Sequence, residues 1–169
     1  MRENELSENQ SKPKRPYQYH EGVISAVSVG AVFILIGLIF VATPGLWEKI
    51  VSFFNDFTTT HVPGTGISLP APAVPAAHAQ LYVAVSQFSV GLVILEILLV
   101  AMRLIARSPT RRLAQEVGNL VFWLGVVYLI NTFLNDATTL TIWFGFWAGV
   151  LVVLGLSLIA RALVLLAKR

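Results

Sequence analysis

Glu96 is the residue of this chain whose setting most demands a chemical explanation. Seventeen uncharged residues precede it, from Ala79 to Leu95, and the next charge after it is Arg103. Seven residues of helix cover ~10 Å, so the carboxylate falls well inside an apolar segment. An ionised carboxylate at the centre of a lipid-embedded helix costs ~2.5–3.5 kcal/mol even on insertion scales, and it must be paired, protonated or hydrated. Asn119 follows Arg112 by seven residues, and Arg161 precedes Lys168 by seven. In a bundle whose helices alternate in direction, equal spacing from the basic boundary puts Glu96, Asn119 and Arg161 in one layer, with Ser25 or Ser28 nearby. Such a layer has two readings. Ion pairs and amides between apolar helices fix their register and contribute ~0.6–2 kcal/mol each. An intramembrane acid is also the usual mark of a site that handles protons or cations. An arginine partner favours the first, because a fixed positive charge neutralises the acid rather than letting it titrate. If Arg161 instead extends to the interface, Glu96 loses that partner.

The other polar residues invite simpler readings. Gln87 and Asn131 fall in the opposite halves of their segments, where amides form hydrogen bonds between helices without titrating. His61 and His78 flank a proline-rich stretch, with Asp56 and Glu48 near them in sequence. Two imidazoles and a carboxylate suit zinc or copper, but the spacing matches no ligand motif, and surface histidines account for them equally. His20 reads as an ordinary boundary residue. There is no cysteine, which removes disulfides, thiolate metal sites and thiol redox chemistry. No glycine-rich phosphate loop, nucleophile elbow, His-x-x-x-His pair or acidic cluster occurs. The chain therefore presents no catalytic constellation, and neither a cofactor nor a resident metal is expected.

The elements that must position these residues are four apolar stretches, 22–41, 81–102, 117–134 and 140–160. The chain is 56% hydrophobic and 12% charged, whereas a soluble domain is about half apolar and about a quarter charged. A span needs ~20 apolar residues to cross ~30 Å of hydrocarbon, and each stretch approaches or exceeds that length. Eleven of the twelve Lys and Arg residues lie before the first stretch, between the second and third, or at the end of the fourth. That asymmetry places both termini in the cytoplasm, in a plasma or inner membrane. It also accounts for the net charge of +3 without nucleic acid. A modified sequon at Asn9 would reverse the orientation. The fold class expected is an all-α integral membrane protein: four transmembrane helices in an up-down bundle plus a short amphipathic interfacial helix.

Residues 1–20 read as a polar, flexible tail, and the run after them is longer than the apolar core of a cleaved signal peptide. The membrane domain, 21–169, has spans at about 22–43, 80–103, 113–135 and 139–166. Thr43-Pro44-Gly45 stops the first. Residues 45–57 place Leu46, Trp47, Ile50, Val51, Phe53, Phe54 and Phe57 at helical spacing among polar residues. Such a helix either lies in the outer interface or packs as a lid on the bundle. The loop 58–79 is rich in proline, and Pro70 to Pro75 favours polyproline II. The basic link 103–112 reads as a turn in which Ser108 caps a helix starting at Pro109. Its arginines, Arg103, Arg107, Arg111 and Arg112, suit anionic headgroups. Asn135–Thr139 reads as a tight outer turn. Gly22, Ala26 and Gly30, and likewise Gly145 and Gly149, repeat every fourth residue and form faces on which helices approach closely. Trp143, Phe144, Phe146 and Trp147 read partly as an interfacial aromatic belt.

These features point to a non-catalytic membrane protein, an accessory or scaffold subunit of a larger membrane complex or a homo-oligomer. Its partners are the lipid bilayer and other membrane subunits or further copies of itself. The alternative is a small transporter or channel-forming subunit in which Glu96 couples protons or cations.

Overall fold

In a computed structural model of the chain, the backbone is described for residues 16–167 and the side chains for residues 22–167. Most of the tail, the Asn9 sequon, the His20 side chain, Lys168 and Arg169 lie outside the described residues. Four of the described helices are long and apolar enough to cross a membrane, and the chain is a multi-pass membrane protein. They are α1 (Pro16–Ala42), α3 (Ala79–Ile105), α4 (Thr110–Phe133) and α5 (Leu140–Ala167), with the short α2 (Leu46–Asn55) between the first two. Helix α1 opens at Pro16, inside the stretch expected to be tail. Proline suits a first helical position, where its missing N–H would have no partner anyway.

The four long helices stand in a row rather than a closed ring. Helix α1 packs on α3, α3 on α4 and α4 on α5. The α4–α5 contact is the most extensive. Along it Gly118 meets Ser157, Gly125 meets Val153, Leu129 meets Gly149 and Phe133 meets Gly145, so these two helices run in opposite directions. Gly125 is required for the approach: a Cβ there would lie 2.4 Å from a Val153 methyl carbon. Small residues at membrane helix contacts allow this proximity. Between α1 and α3 the contact is Ile24 and its neighbours against Leu92, Leu95 and Leu99.

The region after α2 departs from the all-α expectation. Two strands, β1 (Phe57–His61) and β2 (Ser68–Pro72), pair antiparallel with Phe57 opposite Pro72 and His61 opposite Ser68. Three consecutive threonines suit a pleated backbone. Pro63 and Gly64 occupy the middle of a turn closed by the Thr65 amide on the Val62 carbonyl, 3.1 Å. Gly64 has φ +75°, the conformation a type II turn needs at that position. Pro70 and Pro72 were expected to favour polyproline II. They are tolerated in β2 because they share one parity: the Val62–Ile67 and Asp56–Ala73 bonds use the odd positions of the second strand. The missing proline N–H groups therefore face away from the partner. A 3-10 turn at Pro75–His78 then leads into α3.

The link between α3 and α4 also closes differently from the expectation. The Ser108 amide bonds the Arg103 carbonyl at 3.0 Å and the Arg107 amide bonds the Leu104 carbonyl at 3.2 Å. With Arg107 at φ +48°, this is a Schellman closure of α3. Ser108 belongs to that closure. The cap position of α4 is Pro109, without a side-chain capping bond.

Adding a methyl at the tightest helix contact should overpack it. Gly125→Ala is expected to destabilise the protein by about 1–3 kcal/mol, read as lost thermal stability in detergent. Val153→Ala in the same chain should recover most of the loss, and no recovery would show that α4 and α5 do not meet there.

Candidate functional site

The chemistry-bearing residues gather at two places, the α3–α4 seam and a cap made by α2, the hairpin and the 3-10 turn. In the seam, the Arg103 guanidinium donates from both Nε and Nη2 to Glu116 Oε1, each at 2.7 Å. The side chains are 5% and 10% exposed. Arg103 is in the last turn of α3, where the helix dipole favours a cation. Thr110 starts α4 only seven residues later, and the chain folding back at this link carries Glu116 opposite Arg103. The expectation that Arg103 faces lipid headgroups is corrected by this burial. Arg107, Arg111 and Arg112 are exposed.

Glu96 belongs to the same cluster. It is 8% exposed, and its polar neighbours are Glu116, Asn119 and Arg103. Its Oε2 is buried without a hydrogen-bond partner among the described residues. Asn119 is thus brought to Glu96, as the spacing predicts. Arg161 is not: its Cβ lies against Gly118, it is half-buried, and no ion pair joins it to Glu96 among the described residues. Ser25 is exposed and Ser28 half-buried on α1. Glu116, which completes the cluster, was not singled out from the sequence. It stands beside four arginines and reads as a local counter-charge. The signal that identifies it is symmetry, since Arg103 and Glu116 lie six and seven residues either side of Pro109.

A second polar contact holds the seam further along. Asn131 Nδ2 donates to Ser86 Oγ at 2.9 Å and to the Val127 carbonyl at 2.8 Å. The partner of Asn131 is therefore Ser86. Gln87 is exposed, because one residue along a helix turns the side chain by about 100°.

In the cap, Asp56 Oδ2 accepts from His78 Nε2 and from the Val74 amide, both at 3.0 Å. His61 is engaged elsewhere, its Nδ1 lying 2.9 Å from Ser68 Oγ across the hairpin. The two imidazoles thus hold separate partners, and no group of three metal-ligating side chains converges among the described residues. Beneath the cap, Phe53 is ringed by Phe57, His78, Tyr82 and Trp143 at centroid distances of 5.1–6.4 Å. Tyr82 donates to the Pro75 carbonyl at 2.8 Å. Leu46, Ile50 and Phe53 pack α2 against Leu81 and Ala84 of α3, so one edge of α2 acts as a lid. Of the aromatic belt, Trp143 and Phe146 are buried and Trp147 is exposed.

The helix-packing faces divide. Gly145 and Gly149 receive Phe133 and Leu129 of α4, whereas among the described residues nothing lies within reach of a Cβ at Gly22 or Gly30. On α1 those two and Ala26 sit on the side away from Ile24, the residue that enters the α3 contact. The chain matches no protein-family model, no curated protein and no solved structure.

Hydrogen bonds from His78, and then from the Val74 amide, lower the pKa of Asp56 below its ordinary value. An aspartate is released to about 3.9 on unfolding. A depressed folded value gives stability that is complete above about pH 4 and is lost as the pH falls through the lowered value. Acid unfolding of the cap, followed by tryptophan fluorescence, should show this loss, and Asp56→Asn should flatten the profile. An identical acid profile in the variant would contradict the assignment.

Proposed function

We propose that the protein is a non-catalytic membrane component, an accessory or scaffold subunit of a larger membrane complex or of a homo-oligomer. The observation that carries this reading is the open row of helices. The end helices α1 and α5 each lean mainly on one neighbour, and only 6% of each apolar span is buried within the chain. By contrast, 39% of α4 is buried. The unpartnered side of α1 carries Gly22, Ala26 and Gly30, the residue type that lets a second backbone approach. The exposed side of α5 is aliphatic, with Leu151, Val152, Leu158, Ile159 and Leu163. Lipid covers much of this surface, and docked helices cover the remainder.

The finer topology belongs to the same proposal. The spans form an up-down arrangement with both termini cytoplasmic, in a plasma or inner membrane. Arg107, Arg111 and Arg112 meet anionic headgroups, which attract such residues by ~1 kcal/mol each. Helix α2 lies in the outer interface. Its free edge, with Trp47, Val51 and Phe54 exposed, supports this, because aromatic residues favour the headgroup region.

Purification from its native membrane in a mild detergent should bring down a stoichiometric partner or a defined oligomer. A monodisperse monomer carrying only lipid would contradict the proposal.

A further inference from the structure

The α3–α4 seam holds more negative charge than positive. Arg103 carries one charge, Glu116 is bonded to it, and Glu96 adjoins Glu116. Each carboxyl belongs to a residue only 8% exposed. Whatever else touches Arg103, one guanidinium cannot balance two carboxylates. Among the described residues, the surroundings supply no second cation. From α5, Arg161 approaches Gly118 with its Cβ but joins no ion pair among the described residues. On α4, Arg112 is one turn before Glu116 and points to the exposed side. From α1, the described residue buried in the α3 contact is Ile24, and Trp123 of α4 packs there too. Asn119 offers an amide and no charge. Glu96 Oε2 is buried and has no hydrogen-bond donor among the described residues. A carboxylate oxygen in that state is unsatisfied, whereas an acid hydroxyl there can donate to a neighbouring carboxylate.

We propose that Glu96 and Glu116 hold one exchangeable proton between them, making the α3–α4 seam an intramembrane proton-binding site. Binding converts one carboxylate to a carboxylic acid and leaves one negative charge against Arg103. Two carboxyl groups that adjoin each other in an apolar site titrate as a pair, because both cannot ionise together. The site goes beyond a role in helix docking and does not depend on it.

Infrared spectroscopy of the full chain in lipid bilayers tests this directly. At neutral pH the parent protein should show the C=O stretch of one carboxylic acid per chain, shifting on exchange into deuterium oxide. Glu96→Gln should abolish the band. Glu116→Gln should abolish it as well, because Glu96 then no longer adjoins a second carboxylate. Arg103→Met should double it. The band should be equal in sodium and in choline buffers. Absence of the band from the parent chain at neutral pH would overturn the proposal without recourse to any variant. Its persistence in both glutamine variants would overturn it too, and its loss in sodium would assign the site to a metal cation instead.

Discussion

The contact on which the rest of this structure depends is the buried pair between Arg103 and Glu116. In water such a pair contributes little, because solvent screens it and both side chains must be ordered. Inside a helix seam the balance changes. Each charge is costly alone, and the pair offsets that cost. Two long apolar helices can slide past one another with small loss of packing, since lipid tails are as apolar as leucine and supply no hydrophobic drive. The ion pair removes that freedom. It fixes where α4 stands against α3, and the Ser86–Asn131 contact further along the seam obeys the same register.

Packing on either side follows from that register. Helix α4 is the most buried of the four spans, because it takes the polar seam on one face and the glycine contacts of α5 on the other. The cap then closes one end of this core. Phe53 of α2, Tyr82 of α3 and Trp143 of α5 meet in one aromatic group, and Ala71 of the hairpin is fully buried against the same core. A two-stranded hairpin is marginal alone. Here it is held by its contact with that core and by the Asp56–His78–Val74 bonds that tie its base to the start of α3.

Much of this was legible in the chain itself. The four spans come within a few residues of their expected bounds, since hydrocarbon thickness dictates their length and composition. Glu96 and Asn119 were brought out as neighbours by counting from the basic boundary. The hairpin was not legible, because its prolines argue against strand unless the parity of the outward positions is known. Arg161 was misplaced because equal spacing along the chain fixes depth and not azimuth. Two residues at one depth on different helices still face different neighbours. Glu116 was passed over for a related reason. Charge counts along a link treat its residues as one group, whereas folding back at Pro109 sends Arg103 and Glu116 inward together and leaves Arg111 and Arg112 outside. Ser86 was missed in favour of Gln87 by a single step of helical rotation.

A double-mutant cycle at Arg103 and Glu116, measured as unfolding free energy in bicelles, tests the governing role of this pair. Arg103→Met and Glu116→Leu alone should each destabilise the protein by about 3 kcal/mol, because each breaks a buried, hydrogen-bonded ion pair. The double variant should recover at least half of the summed loss. Single substitutions that each cost under about 0.5 kcal/mol and simply add, as unconnected surface sites do, would contradict the account.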